Sequence, residues 1–198
     1  MINFIELNRT HNRDNFDCGI EELNYFLKNL ARQNLKKGLS RTFVAVDENI
    51  PEEVLGFYTL SLFELSSEKL PKKYAKKYKG KIPAVKLARL ATAKGKQNQG
   101  LGRHMLINAI MRIISISEHA GVIGFFVDAK NKAVKKYYQK FGFISLPDRP
   151  LELFLPFANL QKMYEIAISN NVSNTKISSN YYLFPSSLNL MINVEPPA

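Results

Sequence analysis

The stretch 82–129, "IPAVKLARLATAKGKQNQGLGRHMLINAIMRIISISEHAGVIGFFVDA", constrains the fold more than any other. An aliphatic run ends at Thr92, a glycine-containing turn follows, and a long apolar segment leads to "VIGFFVDA". Residues 82–92 read as a strand and 101–118 as a helix. The nearly continuous apolar run 122–129 reads as a strand buried on both faces. Such a crossover makes parallel neighbours and is right-handed. A polar stripe of His104, Asn108, Arg112, Ser115 and His119 predicts one wet edge on the helix. The anomaly is the pair Gly100 and Gly102 at the helix start. Glycine costs helical order up to about 1 kcal/mol relative to alanine, so the turn must need bare backbone.

The rest of the chain surrounds this crossover. In "NFDCGIEELNYFLKNLARQN", Asp17 is placed to cap a helix whose apolar face is Ile20, Leu23, Leu27 and Leu30. "RTFVAVD" (41–47) and "EVLGFYTLSLFEL" (53–65) are β-branched and aromatic, and read as strands joined through "ENIPE". The segment 66–81 places seven lysines in thirteen residues around Tyr74 and Tyr78, which predicts a short basic amphipathic helix. "NKAVKKYYQKFGF" (131–143) puts Ala133, Val134, Tyr137, Tyr138 and Phe141 on one helical face, and "LELFLPF" (151–157) is a last strand. These elements fit one domain, 1–160. Residues 161–198 are rich in Asn and Ser, end in prolines, and are expected to be an appendage of no assigned role.

Composition narrows the function classes. The 198 residues carry a formal net charge of +11, which favours polyanionic partners. The lone Cys18 excludes an internal disulfide and fits a reducing cytoplasm. Residues 1–15 lack an apolar signal core, and no uncharged apolar run reaches the about 18 residues a membrane span needs. His11, His104 and His119 have no zinc-like spacing, so no metal is expected, and each reads as a surface or partly buried residue.

Three phosphate-binding patterns compete for the glycine turn. Gly95 and Gly100 have Walker spacing, but Leu101 and Gly102 stand where lysine and a hydroxyl are needed. A dinucleotide fingerprint fails because Met105 replaces its third glycine. The pattern Gln97-x-x-Gly100-x-Gly102 fits Q/R-x-x-G-x-G/A, in which successive backbone N–H groups at a helix N-terminus hold a pyrophosphate. A plain glycine turn is the bland alternative.

With its flanking strand, helix and "NKAVKKYYQKFGF", the pattern resembles the GNAT (Gcn5-related) N-acetyltransferases over about residues 1–157. The resemblance implies a mixed α/β fold. It has a central, mostly antiparallel sheet, a splayed parallel β–α–β crossover and flanking helices. It implies acetyl-CoA as co-substrate. The diphosphate would lie on Gln97, Asn98, Gln99, Gly100, Leu101, Gly102 and Arg103, and the pantetheine arm along Leu90, Ala91 and Thr92. Asn131 falls at a CoA-contacting position, and Tyr138 at the tyrosine near the sulfur. A backbone amide near Leu90 or Ala91 would face the thioester oxygen. Val134 departs from the alanine usual there.

"FDCGIEELNYFL", "SRTFVAVD", "VLGFYTLS", "IPAVKLARLA" and "YYQKFGF" are similar, in this order, to segments of the acetyltransferase toxins of bacterial toxin–antitoxin pairs. That likeness implies acetylation of the α-amino group of aminoacyl-tRNA, arrest of translation, a ribbon–helix–helix antitoxin as partner and room for a homodimer. Tyr138 is the expected proton donor to the leaving thiolate, with Tyr137 its rival. Arg41, Lys72, Lys73, Lys76, Lys77, Lys86 and Arg89 are candidate tRNA contacts, set against ordinary solvated charges. The alternatives are a related enzyme acting on a protein N-terminus, polyamine or antibiotic, or a non-catalytic CoA- or nucleic-acid-binding module. A small cationic acceptor calls for an acidic pocket, which this basic chain does not advertise.

Overall fold

The computed structural model describes residues 1–162, so the expected appendage lies, but for its first two residues, outside the described part. Seven strands form one sheet: β1 (Ile2–Glu6), β2 (Arg41–Asp47), β3 (Gly56–Ser66), β4 (Lys81–Thr92), β5 (Gly124–Asp128), β6 (Ile144–Ser145) and β7 (Glu152–Pro156). Their order is β1-β2-β3-β4-β5-β7-β6. Every pairing is antiparallel except β4 with β5, the parallel pair the crossover demanded. The helix between those two strands, α4 (Leu101–Ser117), matches its expected span to within one residue.

Alternation along the strands sorts the core into two faces. Val85 and Leu87 of β4, Phe125 and Val127 of β5, and Leu153 and Leu155 of β7 pack with Met105, Ile110 and Ile113 of α4. On the opposite face, Val44, Val46 and Phe57 meet Phe26, Leu27 and Ala31. These last belong to one helical run: α1 (Glu21–Tyr25), a π-helical stretch (Phe26–Leu30) and α2 (Ala31–Lys36). Further along that face, Ile82, Ala84, Phe126 and Phe154 pack with Leu70, Tyr74 and Tyr78.

Several expectations are corrected. Asp17 does not cap the first helix. That helix begins at Glu21 with Ile20 as its uncapped N-cap, because Gly19 turns the chain at φ +83° in between. The basic segment is helical only over α3 (Lys72–Ala75) and a 3-10 turn (Ser67–Lys69). Pro71 sits at its N-cap and Gly80, at φ +72°, ends the segment. Its aromatic side does hold, with Tyr74 edge-on to Phe154 at 5.5 Å. Strands β1 and β6 were missed: β1 is largely exposed, with only Phe4 packed against the core, and β6 is two residues long. His11 is buried outright, its Nδ1 accepting from the Asn8 amide.

The polar stripe of α4 is not a wet edge at its centre. Tyr58 Oη donates to Asn108 Oδ1 at 2.5 Å, and both atoms accept from Arg112 Nε at 2.9 and 3.1 Å. Arg112 also reaches the Phe4 carbonyl at 3.0 Å and stacks on Phe43 at 3.9 Å. The stripe therefore fastens α4 to β1, β2 and β3. Arg112→Leu should cost about 2 kcal/mol, because charge-assisted bonds are lost and buried acceptors are stranded. Urea unfolding measures it, and an unchanged midpoint contradicts the role.

Candidate active site

The site grows from an irregularity in β4. Against β3 the register shifts between Thr59 and Leu60, so Thr59 pairs with Arg89, Leu60 with Leu87, and Ala88 is the extra residue of a bulge. Against β5, β4 pairs only through Val85, Lys86 and Leu87. From Ala88 onward it pairs with β3 alone, and the two parallel strands diverge. The side of Ala88–Thr92 turned away from β3 is thereby left with backbone groups that the ladder does not use.

At the end of that strand the chain makes a 3-10 turn (Lys94–Lys96) and enters α4 with Gly100 as N-cap at φ +81°. The cap has no side-chain hydrogen bond and the first turn holds no acidic residue. The first N–H groups of any helix lack intrahelical partners and carry the positive end of its dipole. A Cβ on Gly100 would meet nothing within 4 Å, and one on Gly102 would touch only Leu90 Cδ2 and Thr92 Oγ1, at 3.7 Å. Protein packing does not demand glycine at Gly102, where a Cβ would make only ordinary contacts with β4, and the Gly100 position opens onto empty space. Unpartnered backbone N–H groups at a helix N-terminus are the kind of backbone that can hold an anion. Gln97 is oriented differently from a phosphate contact: its Nε2 donates to the Cys18 carbonyl at 2.9 Å and to the Thr92 carbonyl at 3.1 Å. Gln99 likewise bonds back, to the Gly95 carbonyl at 3.0 Å. Asn98 adopts φ +58°, the left-handed conformation that asparagine tolerates.

Helix α5 (Lys132–Gln139) follows β5 and carries the two tyrosines. Asn131 is its N-cap, with Oδ1 accepting from the Val134 amide at 2.9 Å. Tyr138 is 7% exposed, packed against Phe143 and Tyr137 at ring distances of 5.5 and 5.6 Å. Burial first, then the neighbouring Tyr137, push its phenol above the ordinary tyrosine range, so it stays protonated through neutral pH. Burial likewise raises Tyr137, to about 12, with Arg103 opposing.

The candidate nucleic-acid contacts separate by environment. Lys72, Lys73, Lys76 and Lys77 are all exposed on and after α3. Arg41 is paired with Glu6 at 2.7 Å, and Lys86 with Asp128 at 2.5 Å. Arg89 lies over the Phe26 ring at 3.7 Å, and burial lowers its pKa while Glu22 opposes that. Asp128, at the fork where β5 stops pairing with β4, and the Phe26 platform under Arg89 were missed from sequence; no local pattern marks either. Among the described residues no group of three or more His, Cys, Asp or Glu side chains is placed to hold a metal ion. No described helix is long and apolar enough to cross a membrane.

Comparison with known proteins bears on the same region. The acetyltransferase (GNAT) domain family matches residues 38–145. A tRNA-acetylating toxin of Mycobacterium tuberculosis is 30% identical over 140 residues, covering 71% of this chain and 82% of the relative. A probable toxin TacT of Sinorhizobium fredii is 27% identical over 162 residues, covering 77% and 89%. Among solved structures, AtaT complexed with acetyl-methionyl-tRNAfMet superposes with a TM-score of 0.77 at 29% identity, over 83% of this chain and 99% of that one. A tyrosine-to-phenylalanine mutant of AtaT, bound to the C-terminus of the antitoxin AtaR and to acetyl-CoA, gives 0.70 at 28% identity, over 82% and 98%.

Proposed function

The chain belongs to the GNAT acetyltransferase family, and from that premise we propose that it is a toxin that moves acetyl from acetyl-CoA to the α-amino group of aminoacyl-tRNA and so stops translation. The observation that carries the reading is the fork: β4 leaves β5 after Leu87, and the bare N-terminus of α4 closes its far end. The amides that would hold the diphosphate thereby lie next to the strand that would take the pantetheine arm. Gly100, Leu101, Gly102 and Arg103 would receive the diphosphate, and Leu90, Ala91 and Thr92 the pantetheine amides. Acetyl-CoA supplies the activated acyl group; the chain supplies position and a proton.

In the reaction the amine nitrogen attacks the thioester carbonyl, the C–S bond breaks, and the sulfur must gain a proton while the nitrogen loses one. An α-amino group has a pKa of about 7.7–8.0, and an adjacent ester lowers it further, so much of the acceptor is nucleophilic near pH 7 without a strong base. The leaving thiolate is the harder partner. Tyr138, kept protonated by burial, is the donor we assign to it. A backbone N–H of Leu90 or Ala91 would stabilise the oxyanion.

The exposed lysines after Pro71 are the best-placed contacts for a tRNA backbone, since Arg41 and Lys86 are already paired. Replacing Lys72, Lys76 and Lys77 together by alanine should lower the salt slope of tRNA binding by about 2–3. A slope equal to that of the wild type leaves these lysines merely solvated. The antitoxin-bound relative supports an antitoxin as second partner; we propose that it is a small ribbon–helix–helix protein and that the toxin part is a homodimer, which the solution mass of the purified pair tests. The deciding experiment for function is induction in a bacterial host, with mass analysis of aminoacyl-tRNA for added acetyl. Growth without arrest and tRNA without acetyl overturn the proposal.

A further inference from the structure

The loop that closes the fork is fastened from the first helical run, through Asn24 and residues 17–19, none of which belongs to the glycine motif. Asn24, on α1, is 6% exposed. Its Oδ1 accepts from the Cys18 amide at 2.9 Å and from Cys18 Sγ at 3.2 Å, and its Nδ2 donates to Asp17 Oδ1 at 2.9 Å. Asp17 Oδ1 also accepts from the Gly19 amide at 2.8 Å. Residues 17–19 are thereby a fixed turn, and that turn grips the chain between β4 and α4 at three points. The Lys94 amide donates to the Asp17 carbonyl at 2.9 Å, Lys94 Nζ pairs with Asp17 Oδ2 at 2.6 Å, and Gln97 Nε2 reaches the Cys18 carbonyl at 2.9 Å.

We propose that Asn24 and Gln97 are positioning residues, two ends of a latch that holds the 93–100 loop in its diphosphate-binding shape before acetyl-CoA arrives. The inference rests on the acetyl-CoA reading above. The loop needs such a latch: it is exposed, contains Gly95 and Gly100, and bends through left-handed Asn98 and Gly100. An unfastened loop of this composition would lose its conformational freedom only on binding, at the expense of affinity. The hydrogen bonds to Asp17, with Lys94 the largest contributor, hold its carboxyl below the usual carboxylate range, so protonation does not open the latch in mild acid.

The test is a double-mutant cycle on Asn24→Ala and Gln97→Ala, read by acetyl-CoA calorimetry and by amide hydrogen exchange of the ligand-free protein. Each single variant should raise the acetyl-CoA Kd about tenfold, and the double variant also about tenfold, because one latch is lost once. Exchange should quicken at Lys94 and Lys96 in both while β4 stays protected. Asn24→Ala should keep its kcat at saturating acetyl-CoA, and acetyl-pantetheine, which lacks the diphosphate, should not distinguish it from wild type. Gln97→Ala removes no core atom, so the test survives if Asn24→Ala fails to fold. Wild-type binding retained by Gln97→Ala, or losses that multiply to about a hundredfold, overturn the latch alone. A wild-type protein that takes up no acetyl-CoA overturns the reading beneath it, and the latch with it.

Discussion

Replacing Tyr138 by phenylalanine is expected to lower kcat by about 10²–10⁴-fold, the range for loss of a positioned proton donor, while acetyl-CoA still binds. The substitution deletes one oxygen and keeps the ring, so the contacts with Phe143 and Tyr137 persist. The ring's packing is kept whole, so stability should barely change. The same reading fixes the pH dependence. Burial keeps Tyr138 protonated well above neutrality, so it imposes no limb on the profile between pH 6 and 9. The rate should instead rise over the range in which the acceptor amine, with a pKa of about 8 or lower, loses its proton. Tyr137→Phe is the control, since that residue sits one step along the same helix and is also held protonated. Wild-type turnover in Tyr138→Phe, with loss in Tyr137→Phe, transfers the role to the neighbour.

Gly102→Val should abolish useful acetyl-CoA affinity, by about 10²-fold or about 2.7 kcal/mol, without unfolding the protein. The residue is the second of α4, its backbone is ordinary, and a Cβ there meets Leu90 and Thr92 only at van der Waals distance. Stability alone would favour a side chain, because alanine in place of a helical glycine gains about 0.5–1 kcal/mol. Gly102→Ala should therefore raise the melting temperature while weakening acetyl-CoA, and valine should weaken it more. Affinity and stability moving in opposite directions is the signature of a glycine kept for a ligand. If acetyl-CoA binds Gly102→Val as tightly as wild type, the diphosphate does not sit on this turn.

The crossover was legible because its signals are local. Aliphatic alternation placed β4 within one residue of its span, and the long apolar run did the same for α4. The glycine pattern pointed to the α4 N-terminus, and the segment "NKAVKKYYQKFGF" placed Tyr138 on the apolar helical face, where it is buried. The lysine segment misled because charge and aromatic spacing resemble a helix even where Pro71 and Gly80 confine it to one turn.

What the sequence determined by itself is the strand–turn–helix–strand order and the bare glycine turn at the head of the helix, since both follow from side-chain periodicity and from glycine's lack of a Cβ. Tertiary structure alone decided the bulge at Ala88 that opens the fork, the Arg112 network that fastens α4, and the grip of Asn24 and Gln97 on one turn. Each of those depends on groups far apart in the chain, up to 108 residues for Arg112 and Phe4. Hydrogen-bond partners at such separation are chosen by the packing of the sheet, and no local pattern encodes them.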